Sequence, residues 1–235
     1  MYEDQTVVSD DPILRLASCA EAGVEAVLAA LPETAPMQGE DGDSRALYAR
    51  IVMQDILRIR LNNHLDAYCL QHLMRTGHTE AARQLLTYLY EEFGHDELLV
   101  EDLLPLGFTR TDVDAAAPLF STELMIAYLK FAIDVDGALP DFVWNWFVEW
   151  YSARYNPQIV KAASAAFGTG TARGTKAHLV IDDELDHEQR MGAALRSLIV
   201  TDEDLRKAEF YLGRIVRLLD LYCREMISVE AAVGS

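Results

Sequence analysis

The chain is short of positive charge. Twenty Lys and Arg stand against 38 Asp and Glu, a formal charge of −18. A nucleic-acid binder carries a basic stripe, and the densest basic group, Arg58-Ile59-Arg60, sits on an ordinary amphipathic stretch. DNA, RNA and anionic membranes are therefore not expected partners. The three cysteines, Cys19, Cys69 and Cys223, are far apart and form no CxxC pair, which argues against a disulfide framework and against a thiolate zinc site. No apolar run approaches the roughly 18 residues a membrane span needs. The first residues, MYEDQTVVSDDP, are acidic and do not form a signal peptide. A cytoplasmic protein is the expectation. GlyThrGlyThr (168–171) lacks both a preceding strand and a GlyLys(Ser/Thr) ending, so it is not a phosphate loop.

What is present is helical periodicity. Apolar residues recur every three or four positions and strict alternation is absent, which predicts an all-α chain. Asp10, Asp11 and Pro12 start a helix reaching about Leu31. An acidic Pro- and Gly-containing loop covers 32–43. Ser44 is expected to cap a long helix ending near Gly77. Thr79 opens one that runs through Glu92 and His95 to about Leu106, stopped by Gly107. Ser121 is expected to cap a helix to about Val135. Another covers 141–154, ended by Asn156-Pro157 with a shorter helix after it. A loop spans 168–174, and a helix then carries His178 to His187 and on to Ile199. Thr201 with Asp202, Glu203 and Asp204 starts the last helix. The organisation expected is one helical domain over 1–235, with an N-terminal helix and loop (1–43) and a core (44–230) holding the chemistry.

Three constellations can carry that chemistry. Glu92 and His95 are three apart, which on one helix puts them on one face. A Glu-x-x-His pair is the ligand arrangement of carboxylate-bridged di-iron bundles. Asp183 and His187 are four apart, as are His178 and Asp182. On a straight helix the nine-residue separation of His178 and His187 turns them nearly opposite one another. Met191, Leu195 and Leu198 continue the side of His187, so Asp183 and His187 are the preferred pair, with His178 an extra ligand if the helix is unwound or bulged. The third is Glu149, on a stretch (142–151) whose only other polar residue is Asn145. A carboxylate there is costly unless paired, protonated or bound to metal. Trp144, Trp146, Trp150 and Tyr151 on the same stretch form an aromatic wall suited to an alkyl chain or a ring. His64 and His72, eight apart, make a poor chelating pair, and His78 falls at a loop.

The string GluGluPheGlyHisAspGluLeuLeuValGluAspLeuLeuProLeuGlyPhe (91–108) resembles the heme-oxygenase-like di-iron oxidases, also called iron-containing redox enzymes. The order Glu92, His95, Glu149, Asp183, His187 is similar to the branches that make terminal alkenes from fatty acids and nitriles from amino acids. One departure stands out. Many members carry His-x-x-x-Asp-x-x-His late in the chain. His178 and Asp182 fit its first half, but Leu185 stands where the last His would be. The resemblance covers roughly 50–230 and implies a compact seven- to eight-helix bundle. It also implies Fe(II), two per chain, held by Glu92, His95, Glu149, Asp183 and His187, with Glu92 and Glu149 also serving catalysis. Dioxygen, an external electron donor and a small carboxylate or amino-acid substrate complete the expectation, with a homodimer as the candidate assembly. Rival readings are a metal-free thiaminase-like hydrolase, a small-molecule binding protein of the same fold, and an iron-handling bundle without catalysis.

Overall fold

The computed structural model describes residues 11–31 and 42–228, and these are helical almost throughout, with no strand among them. The helices are α1 (Pro12–Ala30), α2 (Gly42–Thr76), α3 (Thr79–Glu92), α4 (His95–Leu103), α5 (Arg110–Ala115), α6 (Phe120–Asp136), α7 (Leu139–Phe167), α8 (Arg173–Glu184), α9 (His187–Leu198) and α10 (Asp202–Ser228). No described helix is long and apolar enough to cross a membrane. The acidic loop expected over 32–43 lies almost wholly outside the described residues.

α7 is the central element. Phe142, Val143, Trp146, Phe147 and Trp150 are buried in the larger of two apolar clusters. Helices α2, α6, α8, α9 and α10 all pack on α7, which is why this stretch is apolar nearly all round. A smaller cluster, built on Tyr48, Val52, Ile56, Leu99 and Leu103, joins α2 to α4.

Several boundaries behave as the sequence indicates. The Asp11 carboxylate accepts from Ile13 N–H at 3.0 Å, with Pro12 in the first turn. Thr201 and Asp204 cap α10 reciprocally, at 3.2 Å and 2.9 Å. Gly107 adopts φ 96° after a 3₁₀ turn. Other boundaries differ. α2 begins at Gly42, ahead of Ser44. Ser121 lies inside α6, and the orphan N–H groups of Phe120 and Ser121 are satisfied instead by the Glu225 carboxylate of α10, at 3.3 and 2.8 Å. Asn156-Pro157 does not end α7. Proline removes one helical hydrogen bond, to the carbonyl of Ala153. Ala153 and Pro157 are both exposed, so water can serve that carbonyl.

Two further differences make the site. The helix expected from Thr79 to Leu106 breaks at Phe93–Gly94, where Gly94 takes φ 96°. The helix expected to carry both late histidines breaks at Leu185–Asp186, where Asp186 takes φ 53°. Aspartate tolerates this left-handed conformation better than most residues.

Candidate metal centre

Four helix ends meet at one buried point. Glu92 is the last residue of α3 and His95 the first of α4. His178 and Asp182 lie on α8, and His187 begins α9. Glu149 reaches the same point from mid-α7. Glu92, His95, Glu149 and His187 are buried, and His178 and Asp182 are half-buried.

Glu92 is at the middle. Its Oε1 lies 3.0 Å from His187 Nδ1. Its Oε2 lies 3.3 Å from His95 Nδ1 and 3.8 Å from His178 Nε2. Asp182 touches both late histidines, 2.7 Å from His178 Nδ1 and 3.3 Å from His187 Nδ1. Glu149 Oε2 is 3.9 Å from His187 Nδ1. The donors sort into two sets that share Glu92, one with His95, His178 and Asp182, the other with Glu149 and His187; within each set the ligand atoms lie within 4.8 Å of one another.

The breaks explain how the chain achieves this. On one straight helix His178 and His187 would face apart, but the turn at Leu185–Asp186 reorients α9 so that both face Glu92. Gly94 does the same for His95. Glu92 and His95 therefore meet across a corner, not along one helix face. Asp183 is the sequence-expected residue that the structure leaves out: it is exposed and belongs to neither set. A register defined by His187 on an unbroken helix selects Asp183. The broken helix turns Asp182 inward instead.

α8 is held in place from α4. The Asp102 carboxylate accepts from Gly174 N–H (2.6 Å), Thr175 N–H (2.7 Å) and the Thr175 hydroxyl (2.7 Å). This carboxylate satisfies orphan donors at the helix start and complements its dipole. Behind His187 stands Glu91, 3.3 Å from Nε2. Glu91 is itself paired with Arg190 at 2.9 Å. A carboxylate behind an imidazole fixes its tautomer and leaves the other nitrogen for a metal. The Tyr88 hydroxyl donates to Glu149 Oε1 at 2.6 Å. Tyr88 and Glu91 escaped sequence reasoning, although Tyr88 sits one turn before Glu92. Asp182 was visible only as half of the rival pair.

Electrostatics supply a test of whether a cation fits. Burial alone would raise Glu92, but its contacts with His187 and His95 outweigh that and hold it well below the ordinary range. Asp182 moves down for the same kind of reason, burial being outweighed by His178 and His187. Glu149 is pushed up to about 8, by burial first and then by the charges of Glu92 and Asp182. Burial opposes protonation of His187, yet Asp182 and Glu92 lift it to about 10. At neutral pH Glu149 and His187 thus hold protons that offset the charge of the ionised Glu92 and Asp182. Glu92 Oε1, His95 Nδ1, His178 Nε2, both His187 nitrogens, Glu91 Oε2 and both Asp182 oxygens also lack an aligned hydrogen-bond partner. Divalent cations would replace the protons and occupy those lone pairs, and mixed imidazole and carboxylate donors suit iron.

A carboxylate–imidazole cluster at the meeting of helix ends, in a helical bundle, has the donors to hold a metal ion. The sequence profile of the iron-containing redox enzyme family matches residues 58–220, and the chain belongs to that family. In structure it is similar to a domain of unknown function with a heme oxygenase-like fold from Shewanella denitrificans OS217. The two share 18% identity and a TM-score of 0.69, with 97% of this chain and 99% of that one covered. The fold is thus heme oxygenase-like and all-α. No curated protein matches the sequence.

Proposed function

We propose that the chain is a non-heme di-iron oxidase that uses Fe(II), dioxygen and an external electron donor on a small carboxylate or amine. The observation that carries this reading is Glu92, whose two oxygens face two different sets of buried donors. A carboxylate placed so can bridge two cations. One position would be held by Glu92, His95, His178 and Asp182, the other by Glu92, Glu149 and His187. Asp183 is not in this ligand set. Bound iron would supply dioxygen activation and one-electron chemistry.

The chain's own residues do the remainder. Glu92 would serve both positions and Glu149 would complete the second. The Tyr88 hydroxyl orients Glu149 through its 2.6 Å hydrogen bond. Glu91, paired with Arg190, places its carboxylate 3.3 Å from His187 Nε2, on the side away from the cluster that Nδ1 faces. Glu92, His95, Glu149 and His187 are buried, with Ile59, Leu99 and Val148 in the adjoining wall, and burial strengthens every charge interaction inside.

A thiol-based hydrolase finds little support. Burial lifts the Cys223 thiol to about 11. Cys69 is completely buried, and burial with nearby Asp141 pushes it higher still. Neither is a thiolate at neutral pH, and the thiolate is the nucleophile.

Anaerobic Fe(II) titration followed by oxygen exposure tests the proposal. Two irons per chain and oxygen uptake are expected. Glu92→Ala, which removes the bridge, should reduce both to near zero while the protein stays helical. Full iron and full oxygen uptake in that variant would end the di-iron reading.

A further inference from the structure

A second cavity shares a wall with the metal centre. Its volume is about 860 Å³, and α1, α2, α6, α7 and α10 line it. That lies toward the upper end of pockets that hold whole organic ligands. Its lining is mainly aliphatic and aromatic, including Met125, Ile126, Trp144 and Phe147. Among the described residues lining it, the charged ones are Asp55 and Arg58. Those two residues, with Val148, Ser152 and Asn156, line the small metal pocket as well. All the charge of the large cavity therefore sits at the boundary with the metal centre.

That charge is a matched pair. Asp55 and Arg58 lie one turn apart on α2, with Arg58 Nε 3.6 Å from Asp55 Oδ1. This is an ion pair longer than a hydrogen bond. Both side chains are about one-third exposed, at 30% and 27%. Across from them Asn156 Nδ2 donates to Ser152 Oγ at 2.9 Å, so those two satisfy one another. A ligand head at this wall meets one anion and one cation side by side. A bare carboxylate would suit the Arg58 fork but lie against Asp55. A bare ammonium would suit Asp55 but lie against Arg58. A head carrying both charges meets both residues without setting a like charge against either.

We infer that the cavity receives an α-amino acid with a long apolar side chain, its ammonium on Asp55, its carboxylate on Arg58 and its chain among Met125, Ile126 and Phe147. The inference rests on reading the neighbouring cluster as the reacting centre, because the head group then sits on the wall between cavity and metal. It narrows the carboxylate-or-amine substrate of that reading to a dipolar head on a long tail.

Calorimetric titration of the full-length, metal-free protein tests it, with α-aminodecanoate, decanoate and decylamine as probes below their aggregation concentrations. The amino acid should bind tightest. Each added methylene should tighten binding roughly fourfold until the cavity is full. Arg58→Gln should weaken the amino acid roughly tenfold or more and bring it level with the amine. Asp55→Asn should bring it level with decanoate. Ile126→Trp, which narrows the cavity, should lower the chain length at which tightening stops. Decanoate or decylamine binding wild type as tightly as the amino acid overturns the inference, as does no binding at all. That wild-type comparison decides even where a variant fails to fold. Iron titration of the same protein is independent: a chain that binds the amino acid but no iron would sink the oxidase reading alone, and the reverse would sink only the ligand assignment.

Discussion

Gly174 lies directly against Leu98: a Cβ added to the glycine would overlap the Leu98 carbonyl oxygen. Both partners at that contact are backbone, so no side-chain rotation relieves it. The contact and the Asp102 hydrogen bonds seat α8 on α4, and α8 carries His178 and Asp182. Gly174→Ala should push α8 outward. Overpacking of this kind costs about 1–3 kcal/mol or more. Thermal denaturation should show the loss, far-ultraviolet circular dichroism should remain helical, and iron content should fall because two ligands move with α8. Unchanged iron content in a destabilised variant would mean that the seating does not position the ligands.

Asp182 and Asp183 are neighbours with opposite expected roles. Asp182 is inside the cluster, and Asp183 faces solvent. Asp183→Asn should leave iron content and oxygen uptake as in wild type and move stability by no more than about 0.5 kcal/mol. Asp182→Asn should lose the iron held with His95 and His178. Metal analysis of the two variants side by side settles the assignment. The opposite pattern would restore the straight-helix register.

The sequence makes the bundle legible because 3.6-residue periodicity survives wherever a helix buries one face, and it runs through most of the chain. Glu92, His95, Glu149 and His187 were legible for a different reason. Glu92 and His95 stand out by their three-residue spacing, His187 by the apolar stripe of Met191, Leu195 and Leu198 that continues its side, and Glu149 by its apolar neighbours. What the sequence hides is the pair of corners. Gly94 sits in a helical pattern that continues on both sides. Asp186 is a non-glycine residue in the left-handed region, which local propensity disfavours. Gly94 permits the first corner locally by its positive φ, while the Arg190–Glu91 pair ties α9 to α3 beyond the second. Pro157 is the converse case: a strong local stop overridden because α7 is packed along its length and its orphaned carbonyl faces water.

Glu149 gives a prediction about charge. In the metal-free protein its carboxyl is buried beside Glu92 and Asp182, and its pKa is raised to about 8. Glu149→Gln keeps the shape and can still accept from Tyr88. The metal-free variant should therefore be at least as stable as metal-free wild type in chemical denaturation. Its iron content should fall toward one per chain and turnover should stop, because the second position loses its terminal carboxylate. Two irons and normal turnover would make Glu149 an ordinary buried acid.

Asp141 carries a pH dependence separate from the metal ligands. It is completely buried at the start of α7, its two oxygens have no hydrogen-bond partner, and Asp66 and Cys69 of α2 are near it. Burial lifts its pKa from 3.8 to about 7, against a small opposing effect of the Cys69 thiol. The folded pKa is above the unfolded one, so between these values the folded chain holds a proton that the unfolded chain has released. Stability contributed by that proton is complete below about pH 4 and is lost as pH rises toward 7, by a few kcal/mol at most. Asp141→Asn removes the titration and presents an amide that can donate toward Asp66. Relative to wild type, the variant should gain stability steadily between about pH 4 and 7 and hold that gain above. Urea denaturation of both metal-free proteins across that range measures the difference. A constant difference would mean that Asp141 does not titrate in the folded chain over this range.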